Sequence, residues 1–222
     1  MRQFAIFLGI LLVTVGLSAC TTSATLGSGE IVTETRDVGT FTGVQLTDTG
    51  EVTITVGEPQ SVAITTYENL LPLLVTRVED DVLIIDLVDD DTSYITDTPI
   101  AYTISVPSLD YVNLDGTGNI TIHNLDNETF VADIPGPGNL IANGTVSEQT
   151  IDISGLGSYY GFEVVSETTT ITLAGPGIAQ VYATDTLNAT AIGKEDIVYK
   201  GDPDVHKTIQ GIGEVVPYTE DD

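Results

Sequence analysis

The sequence predicts an all-β fold, a parallel β-helix or β-solenoid with glycine corners and about 18–20 residues per coil. Glycine pairs return along the second half of the chain, and their first glycines are separated by 20, 19, 20, 18 and 18 residues. A fixed period of this kind is typical of stacked repeats. The pairs are Gly116-Thr117-Gly118, Gly136-Pro137-Gly138, Gly155-Leu156-Gly157, Gly175-Pro176-Gly177 and Gly211-Ile212-Gly213, with Gly193-Lys194-Glu195 in the one gap.

Apolar and polar side chains alternate on both sides of each corner. In all but the last coil, the positions four and two residues before the first glycine are apolar, as in Val112 and Leu114 or Ile151 and Ile153, and the position between them is polar. A period of two predicts a short strand with one buried face. Alternation resumes after the corner, as in Ile120 and Ile122. We therefore expect two short strands per coil, one on each side of a corner, and one continuous core shared by neighbouring coils.

The chain begins with the pattern of a lipoprotein signal peptide over residues 1–19. Arg2 supplies the positive charge, and an apolar stretch too short to span a membrane follows. Cys20, the only cysteine, stands where bacterial lipoproteins are cleaved and acylated. We expect lipidation of Cys20; an ordinary signal peptide with an incidental cysteine is the alternative. The small polar residues of 20–30 predict a flexible tether.

The rest of the chain is predicted to divide into three segments. Residues 31–107 predict a less regular β part of the domain, in which Pro72 limits the leucine-rich stretch 69–75 to one helical turn or a loop. Residues 108–217 form the predicted solenoid, and residues 218–222 form an acidic tail.

The two Gly-Pro-Gly corners predict type II turns with a positive φ at the second glycine. Lys207 falls on the inward position of the last coil, as expected where a stack ends in water.

The charge of the chain excludes several classes of partner. Without Arg2 the chain keeps 5 basic residues against 33 acidic ones, a net charge of −28. No Lys or Arg occurs between Arg77 and Lys194. Such a surface repels nucleic acid, anionic lipid and acidic polysaccharide. We expect neither a nucleic-acid partner nor a cofactor.

The glycine series resembles a known bacterial family, the putative auto-transporter adhesin, head GIN domain. The resemblance also rests on the approach Tyr102-x-Ile104-x-Val106-Pro107-x-Leu109 and the entry Gly39-x-Phe41-x-Gly43-Val44, and it covers residues 36–216. It implies a parallel β-helix related to the pectin-lyase shape and a role in adhesion at the cell surface. The family has no established catalytic residues, so none is carried over. Gly193-Lys194-Glu195-Asp196 departs from the pattern, which puts the tight corner of that coil in doubt.

Several strings resemble catalytic or metal-binding motifs. Asp48-Thr49-Gly50 spells the aspartic-protease triplet, but its neighbours align with those of Gly116-Thr117-Gly118, which indicates a corner. His123 and His206 are far apart in sequence, and ordinary surface positions are the simpler interpretation. If coils stack in register, Asn113, Asp133 and Asp152 form one outward column. A divalent cation is one interpretation of that column, and a hydrated acidic face is the other.

The sequence favours a binding or adhesion module over an enzyme, since no catalytic constellation is found. We expect a membrane-anchored lipoprotein of the bacterial cell envelope, with a carbohydrate or protein ligand at the cell surface. Two alternatives stay open, a glycan-active enzyme of the pectin-lyase-like shape and a structural envelope spacer. The aromatic residues are candidates for stacking on a carbohydrate, although core packing explains them equally well. They are Tyr159, Tyr160, Phe162 and Tyr182.

Overall fold

The computed structural model describes residues 24–219, and this part of the chain is built almost entirely of strands. The predicted signal peptide, Cys20 and the last three residues of the acidic tail lie outside it. A single 3-10 turn covers Leu71–Leu73. The strands are β1 (Thr25–Leu26), β2 (Ile31–Thr35), β3 (Gly43–Leu46), β4 (Gly50–Val56), β5 (Ser61–Tyr67), β6 (Leu74–Glu79), β7 (Val82–Leu87), β8 (Tyr94–Ile95), β9 (Ala101–Val106), β10 (Tyr111–Leu114), β11 (Gly118–Ile134), β12 (Asn139–Ile153), β13 (Ser158–Leu173), β14 (Ala179–Gly193), β15 (Ile197–Lys200), β16 (Asp204–Gly211) and β17 (Val215–Pro217).

The strands stack as a parallel β-solenoid with two faces, which confirms the predicted fold class. The entry face contains the segments that lead into the corners: β3, β10, the later halves of β11 to β14, and β16. The exit face contains the segments that leave the corners: β4, the first halves of β11 to β14, β15 and β17. Each coil pairs with the coils before and after it, so its backbone groups are satisfied by its neighbours.

The strands between corners are longer than the sequence indicates. We expected two short strands per coil, whereas β11 to β14 each run from one corner to the next and serve both faces. Each of these strands bends where its register against a neighbour shifts, for example between Tyr160 and Val165 of β13. Such irregularities let one strand turn from the exit face to the entry face without a loop.

The corner glycines are required by the close approach of successive coils. A Cβ atom at Gly175 would overlap the carbonyl oxygen of Gly155, and one at Gly177 would overlap that of Gly157. The type II turn predicted from the Gly-Pro-Gly strings is wrong, because neither Gly138 nor Gly177 has a positive φ. The glycines are needed because the backbone of the preceding coil occupies the space of a side chain.

The corner that lacks its second glycine is looser than the others, as its departure from the pattern indicates. A Cβ atom at Gly193 would meet nothing nearer than the Ala174 carbonyl oxygen, 4.0 Å away. A cleft of about 280 Å³ separates this corner from the preceding one at Gly175-Pro176. Glu195 stands where the other corners have their second glycine, and its side chain prevents an equally close approach to the preceding corner.

The core is a continuous column of inward apolar side chains that includes a buried polar cluster around Gln149. Gln149 is buried, and its Nε2 donates to Ser166 Oγ (3.1 Å) and to Thr169 Oγ1 (3.0 Å). The Tyr159 hydroxyl donates to Gln149 Oε1 (2.9 Å), and Ser166 Oγ donates to the Tyr182 carbonyl (2.9 Å). These bonds satisfy both protons of the Gln149 amide and its oxygen, as a buried amide requires.

The two ends of the stack differ. At the N-terminal end, β6 pairs antiparallel with β7, and β2, β5 and β9 form a second antiparallel group. The 3-10 turn there buries Leu71, in agreement with the single helical turn or loop expected in that stretch. At the C-terminal end, β16 has β14 as its only strand partner among residues 24–219, and Lys207 is exposed at the inward register opposite Ala189. The solenoid is therefore capped at one end and open at the other.

The described part of the predicted tether is bound to the domain. Residues 20–30 were expected to be flexible, yet Thr25 and Leu26 pair in register with Tyr94 and Ile95. Among residues 24–219, no helix has the length and apolar character needed to cross a membrane.

Candidate functional site

The predicted outward column is present on the entry face. Asn113 is paired in register with Asp133, and Asp133 with Asp152, and all three side chains are partly exposed. The Tyr111 hydroxyl donates to Asp133 Oδ2 (2.9 Å). Burial, followed by the charge of Asp133, raises the pKa of Asp152. Two carboxylates on adjacent strands therefore repel each other at neutral pH.

Removal of one charge from this column is expected to stabilise the protein. The raised pKa means that ionised Asp152 costs free energy above its folded-state pKa, and that this cost disappears as the pH falls and the carboxyl is protonated. We expect Asp152→Asn to raise the free energy of unfolding by about 0.5 kcal/mol at pH 7 and low salt.

The measurement is urea unfolding of this variant against Asp185→Asn, which removes an exposed charge outside the column. The gain should shrink toward about pH 4 and in high salt. Equal gains in both variants would mean that the overall charge, and not the column, is responsible.

The Asp48-Thr49-Gly50 triplet forms the first corner of the stack. Gly50 is in register with Gly118, the second glycine of the next corner. The Tyr94 hydroxyl contacts Asp48 Oδ2 (3.0 Å) and the Thr49 carbonyl (3.2 Å). Burial raises the pKa of Asp48, and the hydrogen bond from Tyr94 lowers it. The partner of this carboxylate is a phenol, whereas an aspartic protease uses a second carboxylate that shares its proton.

The two histidines lie on different faces. His123 is on the exit face, with its Nδ1 3.0 Å from the Asn143 amide nitrogen. His206 is on β16 of the entry face, where it is exposed and its Nε2 is 3.6 Å from Asp204 Oδ2. They do not form a pair. Within residues 24–219, no group of three or more His, Cys, Asp or Glu side chains is arranged to hold a metal ion.

Three of the four aromatic candidates are at least partly exposed, and the fourth is not. Tyr159 is fully buried and belongs to the polar cluster of the core, which favours core packing over stacking on a carbohydrate for this side chain. Its position after the corner is an inward one, in register with Leu140 and Ala179. Tyr160, Phe162 and Tyr182 point outward from the exit face.

An irregular segment of β13 carries Phe162 over the following coils. Tyr160 and Val165 of β13 pair with Gln180 and Tyr182 of β14. Four residues lie between the paired positions on β13, but only one lies between them on β14. The Phe162 ring reaches Tyr218 in an edge-to-face contact with centroids 5.1 Å apart. Lys200 Nζ lies 4.7 Å from the Phe162 centroid, 5.2 Å from that of Tyr218 and 3.9 Å from Glu163 Oε1. The cation is thus held between two rings and a carboxylate.

These side chains form one surface, which we call the aromatic face: Tyr160, Phe162, Tyr182, Lys200 and Tyr218. It is continued along the exit face by a column in which Ile141, Tyr160, Gln180, Val198 and Val216 are successive register partners. Sequence reasoning missed Lys200 and Tyr218. The sequence does indicate that these two residues lie beside Tyr182. Tyr182, Lys200 and Tyr218 follow one another at intervals of 18 residues, which is the period of the last coils.

One family model matches most of the solenoid. The model described as "Putative auto-transporter adhesin, head GIN domain" matches residues 40–203. No curated protein matches this chain.

Solved structures of similar shape have related descriptions. A "putative adhesin" from Bacteroides fragilis is 18% identical, with a TM-score of 0.72, over 88% of this chain and 100% of that one. A "putative adhesin" from Parabacteroides distasonis is 21% identical, with a TM-score of 0.55, over 88% and 100%. A "putative lipid binding protein" from the same species is 21% identical, with a TM-score of 0.53, over 89% and 100%. At these identities the likeness shows the fold, which agrees with the β-solenoid predicted above.

Proposed function

Because this chain belongs to the putative auto-transporter adhesin, head GIN domain family, we propose that it is a lipid-anchored module of the bacterial cell envelope that binds carbohydrate through its aromatic face. The anchor is an acyl group on Cys20, as expected from the lipoprotein pattern of residues 1–20. The observation that carries the ligand proposal is the aromatic face itself. It places four aromatic rings and the chain's partly buried Lys200 on one side of a sheet.

The chemistry of this surface suits a neutral sugar. Aromatic rings offer flat apolar area against which the C–H faces of a sugar can stack. Gln180 lies between Tyr160 and Val198 in the outward column, and Asn143 and Glu163 are register partners on the neighbouring strands. Their amide and carboxylate groups can exchange hydrogen bonds with sugar hydroxyls. Acidic glycans are disfavoured, because the mature chain carries a net charge of −28.

Loss of one ring should weaken binding measurably. We expect Tyr160→Ala to lower the affinity for the preferred glycan about tenfold, because one stacked ring contributes about 1–1.5 kcal/mol. Tyr111→Ala is the matched control, since it removes an outward tyrosine from the opposite face. The measurement is a glycan array with the full-length protein in detergent, followed by calorimetric titration of the best ligand with both variants.

The array, a reducing-sugar assay and a binding assay with extracted surface proteins together distinguish the alternative functions. Release of reducing sugar from a bound glycan would support a glycan-active enzyme in place of a binding module. An absence of binding to glycans and to host or bacterial surface proteins would support a structural spacer. Equal affinities of Tyr160→Ala, Tyr111→Ala and the unaltered protein would move the binding site away from the aromatic face.

A further inference from the structure

The first described residues are fastened to the domain by specific bonds. The Thr25 amide donates to the Ser93 carbonyl and the Gly27 amide to the Ile95 carbonyl, both at 2.8 Å. Asn69 binds the same segment from the other side. Its Oδ1 accepts from the Ser28 amide and its Nδ2 donates to the Leu26 carbonyl, again at 2.8 Å. The segment around residues 25–28 is therefore a fixed part of the surface.

This attachment limits how far the domain can lie from an anchor at Cys20. Thr25 is the fifth residue after Cys20 in the sequence. An extended chain spans at most about 3.3–3.6 Å per residue, so Thr25 cannot be more than about 18 Å from the acylated cysteine. The inference that follows rests on the proposed lipid anchor, which would hold the surface near Thr25 close to the membrane.

That surface exposes a cluster of large apolar side chains. Leu26 is 65% exposed and Ile95 is 60% exposed, and as register partners on β1 and β8 they lie side by side. Ile31, 50% exposed, pairs with Tyr67, whose ring packs where a Cβ of Gly27 would lie. We call Leu26, Ile31 and Ile95 the anchor-side patch. Exposed apolar side chains grouped in this way mark an interaction surface.

The charges around the patch select the kind of membrane surface. The Tyr67 hydroxyl, beside the patch, donates to Asp97 Oδ1 (2.8 Å), and Asp89, Asp90 and Asp91 are exposed in the same loop as Ile95. These carboxylates repel anionic headgroups, whereas zwitterionic headgroups carry no net charge. Apolar side chains at such an interface are buried about 5–10 Å into the boundary between headgroups and acyl chains.

We propose that the anchor-side patch contacts a zwitterionic lipid surface and holds the solenoid with its capped N-terminal end toward the membrane. The strand pair β1–β8 lies at the first corner, because Tyr94 of β8 contacts Asp48 and Thr49. The corner at Gly211-Ile212-Gly213 is six coil spacings further along the stack, about 29 Å away. The aromatic face, on a side of the last coils, is then held toward the distal end of the stack and is accessible to ligands.

The absence of tryptophan from this chain permits a direct test. Ile95→Trp places a fluorescent side chain in the patch, and Ile212→Trp is the matched control, because Ile212 is 79% exposed at the distal end. Each lipidated full-length variant is reconstituted into phosphatidylcholine vesicles with or without bromine atoms on the acyl chains. Bromine quenches tryptophan only at short range. We expect about a twofold loss of emission for Ile95→Trp and no loss for Ile212→Trp.

Separate measurements distinguish failure of the contact from failure of the anchor. The mass of the protein isolated from cells reports whether Cys20 is acylated; an unmodified Cys20 would contradict the proposed anchor. In that case the single thiol of the chain is coupled to a maleimide-bearing phospholipid, and the quenching test is repeated with the same geometry. Anchored protein with equal quenching at both positions, or with none at position 95, would overturn the contact.

Two further outcomes test the occupant and the patch. Leu26→Ser in the Ile95→Trp protein should reduce the quenching, and an unchanged value would mean that the patch does not hold the domain on the lipid. A blue shift of the Ile95→Trp emission that grows with protein concentration in the absence of vesicles would identify a second copy of the chain as the occupant, and would overturn the proposal.

Discussion

Gly175→Ala is expected to lower the free energy of unfolding by about 3 kcal/mol or more. The new methyl group would overlap the carbonyl oxygen of Gly155, which belongs to the backbone of the preceding corner and cannot rotate away as a side chain could. Relief requires the two coils to separate locally, and this would weaken the parallel pairing of β13 with β14 next to the corner. The measurement is urea or thermal unfolding followed by circular dichroism.

Gly39→Ala provides the control for this prediction. A Cβ atom at Gly39 would approach nothing closer than Val78 Cβ at 3.9 Å, an ordinary contact. We expect that variant to have a free energy of unfolding within about 0.5 kcal/mol of the unaltered protein. Both substitutions reduce the entropy of the unfolded chain equally, so the difference between the two variants reports the overlap of the backbones. If the two variants were equally stable, close approach of the backbones could not be the reason for the corner glycines.

Gln149→Leu is expected to lower the free energy of unfolding by about 2–4 kcal/mol. Leucine has a similar size but leaves the Tyr159 hydroxyl without its acceptor, and it removes the amide that donates to Ser166 and Thr169. Those groups are buried, so water cannot replace the lost partner. Tyr159→Phe should cost about 1–3 kcal/mol, since it leaves only the Gln149 oxygen unsatisfied.

A double-mutant cycle tests whether the polar cluster acts as a unit. The double variant, Gln149→Leu with Tyr159→Phe, removes both members of one hydrogen bond, and we expect it to be less destabilised than the sum of the single variants by about 1 kcal/mol or more. Additive losses would show that the two side chains contribute independently and that the cluster is not coupled.

The sequence predicts the stacking of coils well, because the corners recur every 18–20 residues. The spacing of the corners, the inward positions such as Val112 and Ile151, and the register of Asn113 with Asp133 all follow from counting residues. The same count predicts that Tyr159 is buried, since it follows its corner at the inward position occupied by Leu140 in the coil before.

Other features depend on shape that a period does not encode. Phe162 meets Tyr218 because β13 carries extra residues against β14, and nothing in the composition of that segment indicates where they go. The conformation of the corners is another example. Gly-Pro-Gly suggests a type II turn from local preferences, whereas the contact with the previous coil decides the backbone conformation. The pairing of Thr25 with Tyr94 joins segments nearly seventy residues apart and leaves no local trace.

The nearest-neighbour contact between corners also has an evolutionary consequence. The contacts between corners join successive coils, so removal or duplication of one whole coil would preserve the inward positions and the strand pairings within the rest of the stack. An insertion of one residue within a regular strand would turn the inward residues that follow it in that strand outward. Gain or loss of one whole coil is therefore the change of length that this architecture tolerates best, and each coil would move the distal surface by about 4.8 Å relative to the capped N-terminal end.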